Sequence, residues 1–298
     1  MPAPRDNLGT TQPRRNVMVW SRSSSHYAMI NTMGTETKKG TAVITGATSG
    51  IGRAYAVALG RRGFRLILTG RRRDKLDSLA AEIAGEVEIR TGDLRDPTTL
   101  ADLVDRVTRC DDLKMVIHNA GFGHKAGFFS LSPEDLRGMG VVHMESAVEL
   151  LRAAIPIMKP AAGRSDYQPA VILVSSLAAF FPAPGPAMYT ATKGFLLGLG
   201  RALHPALARR RIKMQVLCPG FTHTEFHDRL EWSADQRRNR GVVRWMRADD
   251  VVGRSLRALR RRGWWRDPLF IPGTTNRLLL AIVRLLPWRV YARVAERM

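Results

Sequence analysis

The chain has 298 residues, 45% of them hydrophobic, with a formal net charge of +21. That composition supports one large core with a tail at each end, and two cysteines, Cys110 and Cys218, are too few for a disulfide framework and lie in no metal-ligand spacing. A reducing, cytoplasmic setting fits, and no uninterrupted apolar run approaches the roughly 18 residues of a membrane span.

Residues 1–38 are rich in Pro, Ser, Thr, Arg and Asn without periodicity, and read as a disordered N-terminal extension. Their acid-poor character is faintly that of a transit peptide, while Met29 and Met33 offer alternative starts. From Thr41 the pattern becomes regular. T-A-V-I-T-G reads as a β-branched strand, and T-G-A-T-S-G-I-G then places Gly46, Gly50 and Gly52 between that strand and a helical run. Glycines allow a tight turn there, and the helix N-terminus offers free N–H groups to a pyrophosphate.

The next strand, Phe64 to Gly70, ends in Arg71-Arg72-Arg73, about where an NAD-binding unit places an acidic residue for the ribose 2′-hydroxyl. Guanidinium groups at that point suit a 2′-phosphate and favour NADP(H) over NAD(H); otherwise they are solvated arginines starting a helix. A helix from Asp74 to about Ala84 leads to V-E-I-R-T-G-D-L, with Asp93 expected at the sheet's carboxyl edge. Pro97 then opens a helix with an acidic first turn, and the strand L-K-M-V-I-H ends in Asn119-Ala120-Gly121. This alternation predicts an α/β Rossmann-type fold: a doubly wound parallel β-sheet in a single three-layer αβα domain.

Ser132-Pro133-Glu134-Asp135 has the residue types of a capped helix start, and the helix to about Met158 carries His143. V-I-L-V-S-S reads as a buried parallel strand that delivers Ser176 to its carboxyl end, where ligands bind in open parallel sheets. A Pro- and Gly-bearing loop follows, then M-Y-T-A-T-K-G-F. Tyr189 and Lys193 are four residues apart, so a helix presents phenol and ammonium on one face. A fixed cation beside a tyrosine favours the phenolate, which suits proton exchange with a ketone or alcohol oxygen.

Strand I-K-M-Q-V-L-C ends at Pro219-Gly220, and residues 221–241 read as a mobile cover. Its His223 and His227 have the spacing of a metal pair but no strong third ligand in sequence, so no metal is expected. A helix from Asp249 to Arg261 and the strand P-L-F-I-P complete the sheet. From Glu231 to Met298 sixteen arginines stand against six acidic residues, a field that favours an acidic partner or merely solvates helix faces. Asn276 to Arg297 reads as two short amphipathic helices, placed either in a membrane interface or against the core or a second subunit.

Assembled in order and spacing, residues 39–272 resemble the short-chain dehydrogenase/reductase family. T-G-A-T-S-G-I-G at 45 to 52, Asp93, N-A-G at 119 to 121, Ser176, Y-T-A-T-K at 189 to 193 and P-G-F-T-H-T at 219 to 224 carry the likeness. It implies that Tyr189 is the general acid/base, that Lys193 lowers its pKa and binds the nicotinamide ribose, and that Ser176 orients the substrate oxygen. It also implies a cofactor site of Gly46, Thr48, Ser49, Gly50, Ile51, Gly52, Arg71, Arg72, Asp93, Leu94, Asn119, Ala120, Gly121, Pro219, Gly220, Thr222 and Thr224, together with Tyr189 and Lys193. Two departures stand out: His118 replaces the first asparagine of N-N-A-G, and His143 replaces a helix asparagine that anchors a water on the lysine. Imidazole can still hydrogen-bond a water or shuttle a proton, which makes His143 a candidate catalytic residue.

The expected activity is hydride transfer between NADP(H) and a carbonyl or secondary alcohol of lipid, steroid or fatty-acyl type, a place in lipid metabolism. Phe180, Phe181, Phe221, Phe226 and Trp232 lie around the predicted mouth. The alternatives are a 3-oxoacyl-carrier ketoreductase and a non-catalytic NADP-sensing binding protein. A homo-oligomer is expected from the resemblance, peripheral membrane contact through residues 273–298 is a further expectation, and no specific nucleic acid is expected.

Overall fold

Side chains alternate between two cores from the first strand onward. β1 (Thr41–Thr45) is buried throughout, with Ala42 and Ile44 facing one core and Val43 the other. β2 (Arg65–Gly70) repeats the pattern with Leu66 and Leu68 against Ile67. Strands buried on both faces are why these segments read as continuous β-branched and apolar runs. The computed structural model describes residues 39–160, 168–183, 185–231, 233, 235, 237–239, 241, 244–261 and 263–295. The expected N-terminal extension and Trp232 lie outside them.

Chain order runs β1, α1 (Gly50–Gly60), β2, α2 (Arg73–Glu82), β3 (Val87–Thr91), α3 (Pro97–Thr108) and β4 (Leu113–His118). It continues through α4 (Pro133–Gly140), a π-helical turn Val141–Glu145, α5 (Ser146–Ile157), β5 (Ala170–Val174) and α6 (Ala187–Arg209). After β6 (Lys213–Leu217) come β7 (Thr222–His223), α7 (Glu225–Arg229), β8 (Met246–Arg247), α8 (Ala248–Arg261), β9 (Leu269–Phe270), α9 (Thr274–Leu285) and α10 (Trp288–Ala295). Seven parallel strands form one sheet in the order β3-β2-β1-β4-β5-β6-β9, and β7 pairs with β8 apart from it.

Helices cover both faces. Tyr55 and Leu59 of α1, Leu76 of α2 and Leu256 of α8 close one core; Leu103 of α3, Leu150 of α5 and Leu196 of α6 close the other. One buried polar chain crosses the first core: the Tyr55 hydroxyl meets Ser255 Oγ at 2.5 Å, and Ser255 bonds Gln215. Two local readings change. The acidic group expected in the first turn of α3 is Asp96, which sits one step earlier as the cap, accepting from the N–H groups of Thr98 and Thr99. The single helix expected up to Met158 is interrupted by the π-helical turn that carries His143. Strand order reverses between β1 and β4, which opens a crevice at their carboxyl ends.

Candidate functional site

The crevice is built by backbone before side chains enter it. Asn119, just past β4, donates from Nδ2 to the carbonyls of Thr45 and Gly46, both at 3.0 Å, and Thr45 Oγ1 accepts from the N–H groups of Asn119 and Ala120. The turn after β1 is thereby fixed to the turn after β4. Gly46 and Gly50 hold φ of 67° and 54°, and a Cβ on Gly52 would stand 2.3 Å from the Gly46 carbonyl oxygen. Ser49 is the N-cap of α1 but makes no capping bond, and no acidic residue occupies the first turn. The positive end of α1 is left facing the crevice.

Thr48 packs under Gly70, where a Cβ would approach its methyl group to 2.6 Å, and its hydroxyl accepts from Arg72 at 3.0 Å. Arg72 also donates to Glu225 Oε2 at 2.6 Å, and Lys75 lies 3.5 Å from the same carboxylate. Partial burial works to raise the Glu225 pKa, but Arg72 and Lys75 outweigh it and hold the carboxyl below its ordinary value. Arg71 reaches Asp93 at 3.5 Å, while Arg95 grips that carboxylate through its backbone N–H and its guanidinium. Asp93 is likewise held low by these arginines against the opposing pull of burial. Leu94 is buried beside it.

From the other side come the loop after β5 and the first turns of α6. The Ser176 hydroxyl accepts from the Ala178 N–H at 3.1 Å and faces the Tyr189 phenol, whose pKa it works to lower. Lys193 Nζ donates to the Val174 carbonyl at 3.1 Å and lies 5.6 Å from the Tyr189 ring centroid. Burial dominates both groups in the protein by itself: it pushes the Tyr189 phenol up to about 12 and the Lys193 ammonium down to about 8. The lowering of the phenol pKa expected from the lysine does not enter in the protein by itself, where burial is the largest cause and Ser176 opposes it.

His143 is buried with both ring nitrogens engaged. Its Nε2 accepts from the Phe122 N–H at 2.9 Å, which leaves Nδ1 to donate to Thr192 Oγ1 at 2.7 Å; Thr192 passes its own proton to the Tyr189 carbonyl. Burial, with help from Lys193, holds the His143 pKa well below 6.5. A Cβ on Gly121 would lie 3.0 Å from His143 Nε2 and 3.1 Å from Lys193 Nζ, so that glycine marks where the three meet. His118 Nε2 meets Ser146 Oγ at 3.0 Å.

The cover closes the crevice over the glycine turn. Thr222 and Thr224 bond backward to the carbonyls of Gly220 and Thr222, and the Thr224 methyl group packs where a Cβ on Gly50 would point. Phe226 tilts over the Tyr189 ring at 5.5 Å, while Phe221 stacks on Trp245 at 5.2 Å. His223 and His227 flank Trp245, and among the described residues no three His, Cys, Asp or Glu side chains gather as a metal set. Thr45, Thr192 and Glu225 escaped sequence reasoning. Thr45 adjoins Gly46 and could have been found, whereas Glu225 meets Arg72 across 153 positions with no local signal.

Residues 40–234 match the family described as short chain dehydrogenase. A very-long-chain 3-oxoacyl-CoA reductase of Macaca fascicularis is 30% identical over 62% of this chain, and the match spans only 60% of that relative's length. A 1-deoxy-11-beta-hydroxypentalenate dehydrogenase of Streptomyces avermitilis is 31% identical over 62% of this chain and 69% of its own. The solved structure of a short-chain dehydrogenase from Sphingobium yanoikuyae in complex with NADPH superposes with a TM-score of 0.69 at 27% identity, covering 83% of this chain and 96% of that one. With the family match extending over most of the chain, and the glycine turn, serine, tyrosine and lysine gathered at one crevice, the protein belongs to the short-chain dehydrogenase family.

Proposed function

We propose that the protein is an NADP-dependent oxidoreductase that interconverts a bulky, hydrophobic carbonyl compound and its secondary alcohol. The observation that carries this reading is the convergence of Ser176, Tyr189 and Lys193 beside the glycine turn, with Lys193 Nζ 5.6 Å from the Tyr189 ring centroid. The residues fit a dinucleotide. Gly52 lets the turn fold tightly onto the Gly46 carbonyl, where a Cβ would clash, and the uncapped start of α1 suits a pyrophosphate. The Arg72 guanidinium and the Thr48 hydroxyl form a fork suited to a 2′-phosphate. The Sphingobium relative, solved with NADPH, supports the same choice.

Nicotinamide, when bound, supplies or accepts the hydride. The protein's part is the proton and the orientation of the reacting oxygen. Tyr189 is protonated at neutral pH and so is ready to give its proton to a carbonyl oxygen, while Ser176 holds that oxygen. Lys193 places a cation beneath the ring and steadies the phenolate once it forms. A proton relay through His143 would have to break the bond to Phe122 or the bond to Thr192, so we assign His143 to positioning the Tyr189 turn.

Phe226 against Tyr189 and Phe221 against Trp245 give the cover an apolar lining, which supports a large hydrophobic substrate. The names of the macaque and Streptomyces relatives point the same way. The net charge of +21 favours a second reading, a ketoreductase of acyl groups on an acidic carrier, whose affinity would fall steeply with salt. The test is NADPH oxidation across ketones of increasing size, in wild type and Tyr189→Phe. Turnover rising with apolar bulk and lost in the variant, with NADPH binding retained, supports the reading; equal rates in both proteins overturn it.

A further inference from the structure

We propose that α9 and α10 form a docking surface for an anionic membrane. A helix buried on one side ordinarily turns polar residues to solvent. α9 does so only in part. Inward, Asn276 and Leu280 are buried, Leu280 packing in a cluster with Leu177, Leu197 and Val216. Outward, Leu278 is 58% exposed, Ile282 47% and Leu285 84%, at spacings of four and three that make one stripe along the helix. Leu286, Trp288 and Val290 continue the exposed apolar run into α10, and Trp288 stacks on Tyr291 at 5.6 Å, an aromatic pair of the kind that sits at headgroup depth.

Charge selects the partner. Arg277, Arg284, Arg289 and Arg293 are exposed around this stripe, and residues 271–295 contain no acidic residue. A second copy docked face to face would set these arginines against the same arginines with no carboxylate from the segment between them. Anionic headgroups supply the missing charge, and each arginine near such a surface contributes about 1 kcal/mol. Among the described residues no helix is long and apolar enough to cross a membrane, so the surface would lie in the interface plane.

The helix pair is also joined to the active crevice. The Arg284 guanidinium lies 5.2 Å from the Phe180 ring centroid, and the Tyr291 hydroxyl donates to the Pro182 carbonyl at 2.7 Å. Both contacts fall on the stretch between Ser176 and Tyr189. A docked protein would therefore present that stretch near the lipid, a consequence that rests on the hydrophobic-substrate reading, whereas docking itself is measured without turnover.

The experiment is co-sedimentation of the full chain with phosphatidylcholine vesicles and with vesicles containing about 30% phosphatidylserine, at low and high salt. Binding to the anionic vesicles only, weakened by salt, is expected. Arg277→Gln/Arg289→Gln should weaken it roughly 25-fold, and Ile282→Ser/Leu285→Ser at least about tenfold. Unchanged melting and NADPH binding show that the variants remain folded, and should the serine pair melt early the arginine pair decides. Equal binding to neutral vesicles, no binding, or binding that neither variant alters overturns the proposal. So does a concentration-dependent dimer that Ile282→Ser/Leu285→Ser abolishes without any vesicle binding, which would make a second copy the occupant.

Discussion

Arg72 donates to Glu225 at 2.6 Å and to Thr48 at 3.0 Å, so one guanidinium joins the turn after β1, the start of α2 and the segment that covers the crevice. The carboxylate of Glu225 takes part of the fork that a 2′-phosphate would need. Removing it with Glu225→Ala should free Arg72 and tighten NADPH a few-fold, leaving NADH unchanged. Arg72→Ser should weaken NADPH by tenfold or more, since a charge-assisted hydrogen bond contributes about 1.5–3 kcal/mol. Fluorescence titration of both cofactors checks this, and equal changes for NADH and NADPH would sink it.

Tyr189 makes the two directions of reaction differ in pH dependence. Burial pushes its phenol up to about 12, so the proton donor is in place throughout the neutral range. Carbonyl reduction should then be flat from about pH 5.5 to 7, below the titration of Lys193 at about 8, whereas alcohol oxidation, which needs the phenolate, should rise about tenfold per pH unit over the same range. Paired pH profiles of kcat decide the matter. An oxidation rate that stays flat would count against the phenol as base.

Much of this site could be read from the chain because its groups lie at strand ends or one turn apart. Gly46, Ser176 and Asn119 follow directly from β-branched strands, and Tyr189 and Lys193 share a helix turn. Parallel strands buried on both faces leave a strong apolar signal, so the sheet was legible too. Contacts bridging distant segments were not. Glu225 reaches Arg72 from the cover, and His143, on its π-helical turn, bonds Thr192 and the Phe122 N–H from distant segments, which no local pattern encodes. The balance of burial against charge at Tyr189 and Lys193 depends on how closely the surrounding segments pack, and residue types alone do not fix it.

Lys193 should leave a signature in stability. Burial lowers its pKa from 10.5 to about 8, so between these values the unfolded chain holds more protons than the folded one. Stability without cofactor therefore rises with pH across that window, and below about 8 the buried charge is a constant penalty. Lys193→Met should remove the slope while lowering turnover at least about 100-fold. Denaturant midpoints at pH 8 and pH 10 in both proteins test it; parallel shifts would refute it.

His143 supports structure through two hydrogen bonds, and its replacement should act accordingly. His143→Ala leaves the Phe122 N–H without its partner and the Thr192 hydroxyl with only its bond to the Tyr189 carbonyl, a loss of about 2–4 kcal/mol in stability. Because the imidazole is held neutral, the variant's rate should fall without any change in the shape of the pH profile from about 5 to 8. Disappearance of a titration near neutrality in the variant would instead make His143 a proton carrier.

Two glycines of similar helical setting should respond in opposite ways to alanine. A Cβ on Gly52 would stand 2.3 Å from the Gly46 carbonyl oxygen and 2.5 Å from Asn119 Nδ2, the pair whose hydrogen bond joins the β1 and β4 turns. Gly52→Ala must push that clamp apart, so stability should drop by about 1–3 kcal/mol, and the dinucleotide should bind at least tenfold more weakly. Gly198, within α6, has nothing within 4 Å of its would-be Cβ. Alanine there spares the unfolded-state entropy of glycine and should stabilise by about 0.5–1 kcal/mol with cofactor affinity unchanged. Thermal melts with and without NADPH separate the two cases, and a Gly52→Ala protein that binds NADPH as tightly as wild type would show that the turn does not seat the cofactor.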